Sequence, residues 1–294
     1  MTGALFSPMG KPDPDVPAAE FKLNITKALG DQLQERLASL RRAPLTPPTV
    51  AAIEPLAGVY ELWHGDKRVY VGKATASKGL NQRLSEHLRK LSGRRYIDLA
   101  EFTFMCLYVE EDLDAAAPEK LLIKRYRNTS GCPWNNNGFG NKDPGRNRDS
   151  SRVKENHFDA RYPIDTDREV TDLGSSSWNV LDTLLAAKEK LPFLLRFPTD
   201  KTDKAAAKRL QAANITTLPN GPITFRRLMS HVIDALPEGW QATALPGYAI
   251  IYQEVKDYDS ALTIWRKRSG MVVEEEIKTV YAPAAAIKDS GEDD

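Results

Sequence analysis

The sequence predicts an α+β fold built from two modules, and three observations support this. Residues 58–74 form a β-hairpin pattern, in which two β-rich runs flank a tight loop at His64-Gly65-Asp66. Amphipathic helix patterns and a further strand follow, so we expect a small, mainly antiparallel sheet flanked by helices. From about residue 166 a second set of helix and strand patterns begins, which predicts an additional C-terminal α+β module.

The 294 residues are enough for two domains, each with its own hydrophobic core. Residues 1–20 are rich in proline and are predicted to be disordered, as is the acidic tail at residues 282–294. Between them we predict a first domain at residues 21–165, which begins with an amphipathic helix and a proline-rich linker. The second domain is predicted at residues 166–281, and no motif in it indicates a role.

Composition excludes several classes of protein. No run approaches the roughly 20 apolar residues that cross a bilayer, and the N-terminus lacks the features of a signal peptide. We therefore expect a cytoplasmic protein without a membrane partner. The two cysteines, Cys106 and Cys132, lack the spacing of a disulfide framework or a zinc site and are expected to be packed thiols.

Charge is distributed unevenly along the chain, although the formal net charge is only +1. Residues 58–161 carry 19 Lys and Arg against 14 Asp and Glu, whereas residues 162–294 carry 16 against 20. A local basic surface is what a phosphate backbone requires. The middle of the chain is therefore the better candidate for contact with nucleic acid.

Periodicity predicts the elements of both domains. In the first domain, residues 80–91 and 113–127 are predicted helices and residues 102–109 a predicted strand. In the second domain, the predicted helices are 176–190, 204–213, 224–236 and 258–268, and the predicted strands are 192–197 and 247–255.

Two tyrosines occupy the predicted hairpin. If the hairpin closes symmetrically about Gly65, Tyr60 lies directly opposite Tyr70 on the same face, whereas a slip of one residue would separate them. Such a pair is commonly a packing contact. Because the ordinary pKa of tyrosine is about 10, either residue could act as a base only if a metal-bound water or a neighbour such as His87 or Lys73 shares the proton.

Three further side chains have the chemistry that phosphodiester hydrolysis requires. Glu119 lies in a predicted helix and can bind a magnesium ion together with waters and phosphate oxygens. Arg83 and His87 are four residues apart in another predicted helix, so they project from one face and could bind a phosphate and accept a proton. Taken singly, each residue also fits a solvated helix surface.

The order of these residues resembles that of the GIY-YIG nuclease superfamily. Arg83-x-x-x-His87 and the tripeptide 133–135 before the glycine-rich loop 138–145 are similar to the type II restriction endonucleases that cut the palindrome CCGCGG. The resemblance covers residues 21–163 and rests on the ordered set Gly58-Val59-Tyr60, Tyr70-Val71-Gly72, Arg83, Glu119 and Asn135.

The resemblance implies a role for each matching residue. Tyr60 would lie close to the attacking water, and His87 would assist in removing its proton. Arg83 would hold the scissile phosphate, and Glu119 would bind one Mg²⁺ ion per site, for which Mn²⁺ can substitute. The implied catalytic residues are Tyr60, Tyr70, Arg83, His87, Glu119 and Asn135.

The chain departs from the family pattern in three places. Val59 stands where isoleucine is common, which conserves volume closely. The connection between the two tyrosines is short, and residues 128–131 form an insertion before Asn135. Asn135 is preferred over its two neighbouring asparagines because it directly follows Trp134.

A basic loop follows the predicted catalytic residues and indicates DNA contacts. Arginine fits the edge of guanine in the major groove, although phosphate contact is the commoner role. A solvated basic loop is the alternative. The candidate DNA-binding residues are Lys73, Lys142, Arg146, Arg148 and Arg152.

We therefore predict a magnesium-dependent type II restriction endonuclease that cuts double-stranded DNA at a GC-rich palindrome. A palindrome presents two equivalent phosphates, so a homodimer is expected, or a tetramer, and a separately encoded methyltransferase would protect host DNA. The alternatives are a structure-selective nuclease of repair, recombination or mobile elements, and a non-catalytic DNA-binding protein with a nuclease fold.

Overall fold

The computed structural model describes residues 25–109, 122–123, 126, 131–140, 145–171, 173, 179–216, 218–219 and 221–279, with side chains from residue 28 onward. Several predictions lie outside these residues: the disorder of both termini, most of helix 113–127, and the positions of Glu119 and Lys142. Within them the fold is α+β, as predicted.

We call residues 25–165 the first domain and residues 166–279 the second domain. The first domain contains a four-stranded antiparallel sheet in the order β1-β4-β2-β3. Its first strand and a short helix lie in the segment predicted as a linker. The elements are α1 (Ile25–Ala38), β1 (Ala43–Pro44), α2 (Pro47–Ala51), β2 (Gly58–His64), β3 (Lys67–Ala74), α3 (Gly79–Ser92), β4 (Phe102–Tyr108) and α4 (Phe158–Arg161).

The register of the β2–β3 hairpin differs from the symmetric prediction. Tyr60 lies opposite Gly72, and Tyr70 lies opposite Leu62, so the expected direct pairing of the tyrosines is wrong. The turn and an irregularity between Leu62 and Trp63 together move the pairing by two residues. Since side chains alternate with a period of two, this shift leaves both tyrosines on the same face, as diagonal neighbours.

Helix α3 packs across the sheet with one apolar stripe. Leu80, Leu84, His87 and Leu91 are all buried, and their spacing of three and four residues places them on one side of the helix. The three leucines belong to the same core cluster as both tyrosines. A histidine is thus built into the core-facing stripe, directly above the hairpin.

Part of the loop after residue 130 also belongs to this core. Trp134 and Phe139 are buried and join Phe158, from the start of α4, in the cluster beneath α3. The three rings contact one another at centroid distances of 4.8 to 5.0 Å. This part of the loop is therefore held by aromatic packing.

The second domain contains a five-stranded sheet in the order β11-β10-β8-β9-β6, in which only β6 and β9 run parallel. The short strands β5 and β7 pair separately. The elements are β5 (Glu169–Val170), α5 (Val180–Lys190), β6 (Leu194–Arg196), α6 (Lys204–Ala212), β7 (Ile223–Thr224), α7 (Phe225–Ala235), β8 (Gln241–Ala244), β9 (Tyr248–Tyr252), β10 (Thr263–Arg268) and β11 (Met271–Glu276).

The predicted helix at residues 258–268 is wrong. Residues 263–268 form β10, which lies between β8 and β11 in the sheet. Trp265 is fully buried there, and residues 258–262, which precede the strand, are not helical. Pairing on both sides satisfies the backbone of this segment, and such tertiary contacts override a local helical pattern.

Arg94 connects the two domains. Its guanidinium is almost fully buried, forms an ion pair with Asp159 at 2.8 Å, and donates a hydrogen bond to the carbonyl of Pro246 at 3.0 Å. A charge buried in this way requires its partners, because desolvation of an unpaired ion is costly. The second domain is thereby anchored next to α3.

Candidate active site

The centre of the site is a buried hydrogen bond between Tyr60 and His87. The hydroxyl oxygen of Tyr60 lies 2.7 Å from Nε2 of His87. Tyr60 is completely buried and His87 is 4% exposed, so the sheet and α3 together enclose this contact. The predicted pair of tyrosine and histidine therefore meets in space, although the two residues are far apart in the chain.

Gly72 has no side chain, and the Tyr60 hydroxyl occupies the space that a side chain at this position would fill. A Cβ atom at residue 72 would lie 2.3 Å from the Tyr60 hydroxyl oxygen and 2.8 Å from the ring of Tyr70. Both distances are far below van der Waals contact. The glycine of the Tyr70-Val71-Gly72 motif is thus required by the packing of the tyrosine on the neighbouring strand.

Tyr70 closes the other side of the histidine. Its ring centroid is 5.3 Å from that of His87 and 6.2 Å from that of Tyr60. Phe139 stacks on His87 at 4.8 Å and makes an edge contact with Tyr70 at 4.9 Å. The imidazole is therefore surrounded by three aromatic rings, which fix its orientation and exclude bulk water.

His87 is held in its neutral form. Burial lowers the pKa of His87 well below its ordinary value, and the positive charges of Arg83 and Lys90 lower it further. A neutral imidazole has one nitrogen that accepts a proton. At neutral pH, Nε2 can therefore accept the hydrogen bond from the Tyr60 hydroxyl.

Arg83 lies one helical turn before His87 and is partly buried. It forms an ion pair with Glu86 at 2.5 Å. Burial by itself lowers the pKa of Arg83, but Tyr60 and Glu86 raise it, and the net pKa lies above the usual value. A permanently charged guanidinium thus lies within electrostatic reach of the Tyr60 hydroxyl, where it can attract a phosphate.

Asn135 lies beside the hairpin, and its amide is paired with backbone. Its Oδ1 accepts a hydrogen bond from the amide of Val71 at 2.9 Å, and its Nδ2 donates to the carbonyl of Val71 at 2.7 Å. Val71 stands between the Tyr70 and Gly72 positions of the motif. The arrangement therefore gives Asn135 a structural contact with β3.

Lys90 was not singled out from the sequence, although it lies three residues after His87. Its ammonium group donates a hydrogen bond to the carbonyl of Phe139 and lies 5.0 Å from the centre of that ring. Burial and the positive charges of Arg94 and Arg83, opposed by Asp159, lower its pKa to about 8. Its spacing from His87 on a helix is the signal that could have identified it.

The candidate DNA-binding residues occupy different surroundings. Lys73 alternates with Gly72 along β3, so it points away from the face that carries the tyrosines. Arg146 pairs with Glu254 at 3.4 Å, and Arg152 pairs with Asp259 at 3.3 Å, both across the domain boundary. Arg148 lines a cleft beside Asn135.

A magnesium ion would need hard oxygen ligands such as carboxylates. Around Tyr60 the described side chains are a neutral histidine and a cationic arginine, and the carboxylate of Glu86 is bound by Lys78 and Arg83. Within the described ranges, no group of three His, Cys, Asp or Glu could hold a metal. The described donors therefore do not by themselves form a magnesium site, and the expected ligand Glu119 lies outside them.

Both cysteines are free, and each is partly buried. Burial raises the pKa of Cys106 and of Cys132 to about 11, so both remain thiols at neutral pH. Over the residues that the structure covers, no helix is long and apolar enough to cross a bilayer.

Comparison with known proteins agrees with this geometry. A family model described as the Eco29kI GIY-YIG domain matches residues 63–163. The matched range starts after the first tripeptide of the motif and includes Tyr70, Arg83, His87 and Asn135. No curated protein matches the chain. Residues 63–163 therefore form a GIY-YIG domain of the restriction endonuclease type, and this domain indicates a DNA endonuclease.

Proposed function

We propose that this protein is a magnesium-dependent type II restriction endonuclease that cuts double-stranded DNA at a specific, GC-rich palindromic site. The observation that carries the proposal is the 2.7 Å contact between the Tyr60 hydroxyl and Nε2 of His87, with Arg83 beside it. Arg83 and His87 lie within the residues that match the Eco29kI GIY-YIG domain, and Tyr60 lies three residues before the matched range. This arrangement supplies a proton acceptor and a phosphate-binding cation in one place.

The proton route follows from the neutral state of His87. When Tyr60 donates its proton to Nε2, a lone pair on the tyrosine oxygen remains for a water molecule, which would have to enter this enclosed site together with the DNA. As the water attacks phosphorus, its proton passes to Tyr60 and the tyrosine proton passes to His87. The histidine becomes cationic and later returns the proton to solvent, so the tyrosine never has to exist as a free phenolate.

Arg83 would bind the scissile phosphate. Its guanidinium can donate two parallel hydrogen bonds to phosphate oxygens, and its positive charge stabilises the charge that grows on them in the transition state. Because Arg83 lies on the same helix as His87, the bound phosphate and the proton acceptor keep a fixed spacing. That spacing is what an in-line attack by water requires.

We assign the single metal ion to Glu119, because this carboxylate matches the family position for the metal ligand. A bound Mg²⁺ ion would stabilise negative charge on the phosphate and on the leaving oxygen, and Mn²⁺ would support the same chemistry. Asn135 would act near the phosphate by holding β3 in place through its pairing with Val71.

The substrate proposal rests on the same family. The resemblance favours CCGCGG or a related GC-rich palindrome. Two equivalent phosphates in a palindrome call for a homodimer or a pair of dimers, and a separate methyltransferase would protect host DNA. Such an enzyme would act in the cytoplasm, where it meets incoming DNA.

The test is digestion of a sequenced plasmid with purified protein and Mg²⁺, followed by mapping of the DNA ends. Discrete fragments that share one palindrome support the proposal, and Glu119→Gln should remove cleavage but retain DNA binding. Branched DNA cut far better than duplex would indicate the structure-selective alternative. Binding without cleavage under Mg²⁺ or Mn²⁺ would overturn the proposal in favour of a non-catalytic protein.

A further inference from the structure

A polar cleft lies between the two domains, beside the candidate active site. Its volume is about 410 Å³, and it is lined by residues 135–138, 148, 151–154, 156, 157 and 159 and by Tyr248 of the second domain. The family match ends at residue 163, so Tyr248 lies outside the part of the chain that the match covers.

The chemistry of the cleft favours an anionic ligand. Arg148 and Lys154 are exposed and contribute positive charge. The Nδ1 atom of His157 accepts a hydrogen bond from the amide of Asp159 at 3.1 Å, so in a neutral ring the proton is on Nε2 as a further donor. The carboxylate of Asp159, which also lines the cleft, is neutralised by Arg94 at 2.8 Å.

The cleft and the active site share one turn of chain. The carbonyl of Asn137, in the wall of the cleft, accepts a hydrogen bond of 2.6 Å from the amide of Phe158. Two residues later, Phe139 stacks on His87. The wall of the cleft is therefore connected, within two residues, to a ring that packs on the catalytic histidine.

The second domain holds the basic wall of the cleft through Asp149. This aspartate is 3% exposed, forms an ion pair with Arg196, and accepts a hydrogen bond from the hydroxyl of Tyr248 at 2.7 Å. The amide of Val153 adds a hydrogen bond of 3.0 Å to Ser260. Together with the ion pair between Arg146 and Glu254, these contacts attach the loop to the second domain on both sides of Arg148.

We propose that this cleft binds the DNA strand flanking the scissile phosphate, with Arg148 and Lys154 as the contacting cations, and that the second domain positions their loop through Asp149. This inference rests on the proposed function. It assigns the second domain a role in substrate binding. The excess of acidic residues in that domain, taken alone, argues against a large phosphate-binding surface on the domain itself.

Binding measurements without divalent ions test the contacts. The probe is a fluorescein-labelled duplex that carries the mapped cleavage site, titrated with full-length protein at several salt concentrations. Arg148→Met combined with Lys154→Met should raise Kd by about tenfold or more and reduce the salt slope by about one per lost phosphate contact. Arg227→Met, at an exposed position on α7 outside the cleft, should leave both quantities unchanged.

A second variant tests whether the second domain positions the loop that carries Arg148. Tyr248→Phe removes one hydroxyl and should keep the melting temperature close to that of the unmodified protein. We expect it to raise Kd several-fold and to speed proteolysis of the loop at residues 145–152. An unchanged Kd in this variant would contradict the positioning role.

The measurements distinguish a failure of the proposed nuclease function from a failure of the cleft as the DNA-binding site. If the unmodified protein cuts no DNA with Mg²⁺ or Mn²⁺, the proposed function is wrong. If it cuts a defined site but the double variant keeps its Kd and salt slope, the cleft is not the binding site. A loss of binding on the cognate duplex alone, with other duplexes unaffected, would support the cleft as a base-reading site.

Discussion

The hydroxyl of Tyr60 and Nε2 of His87 are 2.7 Å apart and are both enclosed between the sheet and α3. In this position the hydrogen bond competes with little water, so its geometry is strongly determined. The contact turns two residues that are individually unremarkable into a route for proton transfer.

Tyr60→Phe removes the hydroxyl and little else. We expect the single-turnover rate of cleavage to fall by about 10²- to 10⁴-fold, the usual contribution of a positioned proton-transfer group. Binding of the duplex should change little. Tyr108→Phe is the matched control, because the Tyr108 hydroxyl accepts a hydrogen bond from the amide of Glu54 near the surface. Equal losses in the two variants would exclude a catalytic role for Tyr60.

The pH dependence of cleavage should reflect the lowered pKa of His87. The histidine must be neutral to accept a proton, so the rate should fall only at pH values well below 6.5. The charges facing it are Arg83 and Lys90 on its own helix, while the sheet contributes Tyr60 and Tyr70.

Lys90→Met tests the electrostatic part of this explanation. Lys90 is protonated below its pKa of about 8, so its removal should raise the pKa of His87 and move the acid limb of the profile to higher pH. Single-turnover rates between pH 5 and 8 measure the shift, with Lys67→Met at an exposed position as control. A profile that does not move would show that the charge of Lys90 does not contribute to the lowered pKa of His87.

Gly72→Ala should abolish cleavage while the protein remains folded. The new methyl group would lie 2.3 Å from the Tyr60 hydroxyl oxygen, so the tyrosine must leave its contact with His87. Gly65→Ala, in the exposed hairpin turn, has nothing within 4 Å and should cost only on the order of 1 kcal/mol for its positive φ. Melting curves and cleavage rates of both variants separate the two effects.

Asn135→Asp tests the structural contact of this residue. Aspartate can accept the amide hydrogen of Val71 but cannot donate to its carbonyl, so about 1–3 kcal/mol of stability should be lost. Asn136→Asp introduces the same charge at the exposed neighbouring position and should cost much less. Urea unfolding provides the measurement, and equal midpoints for the two variants would contradict the pairing.

Much of the site could be predicted from local sequence. The spacing of Arg83 and His87 predicts one helix face, and the structure places both on α3. The helix face depends on the repeat of a single element, so the sequence alone determined it. Tyr60 and Tyr70 share a face because the observed register differs from the symmetric one by two residues, an even number, and that register is a property of the folded hairpin.

Other features arose only from contacts between distant segments. The bulge that pairs Tyr60 with Gly72 depends on the closing of the turn, and β10 is a strand because strands pair on both of its sides. The partners of Arg146 and Arg152 come from the second domain, more than a hundred residues later.

The sequence by itself determined the resemblance to the GIY-YIG nucleases, the hairpin that carries both tyrosines and the helix that carries Arg83 and His87. The tertiary structure decided the partners: His87 for Tyr60, Val71 for Asn135, and the second domain for the basic loop. The physical reason is that periodicity fixes which face of an element a side chain occupies. Which atom it meets depends on packing between elements, and that packing is a property of the whole fold.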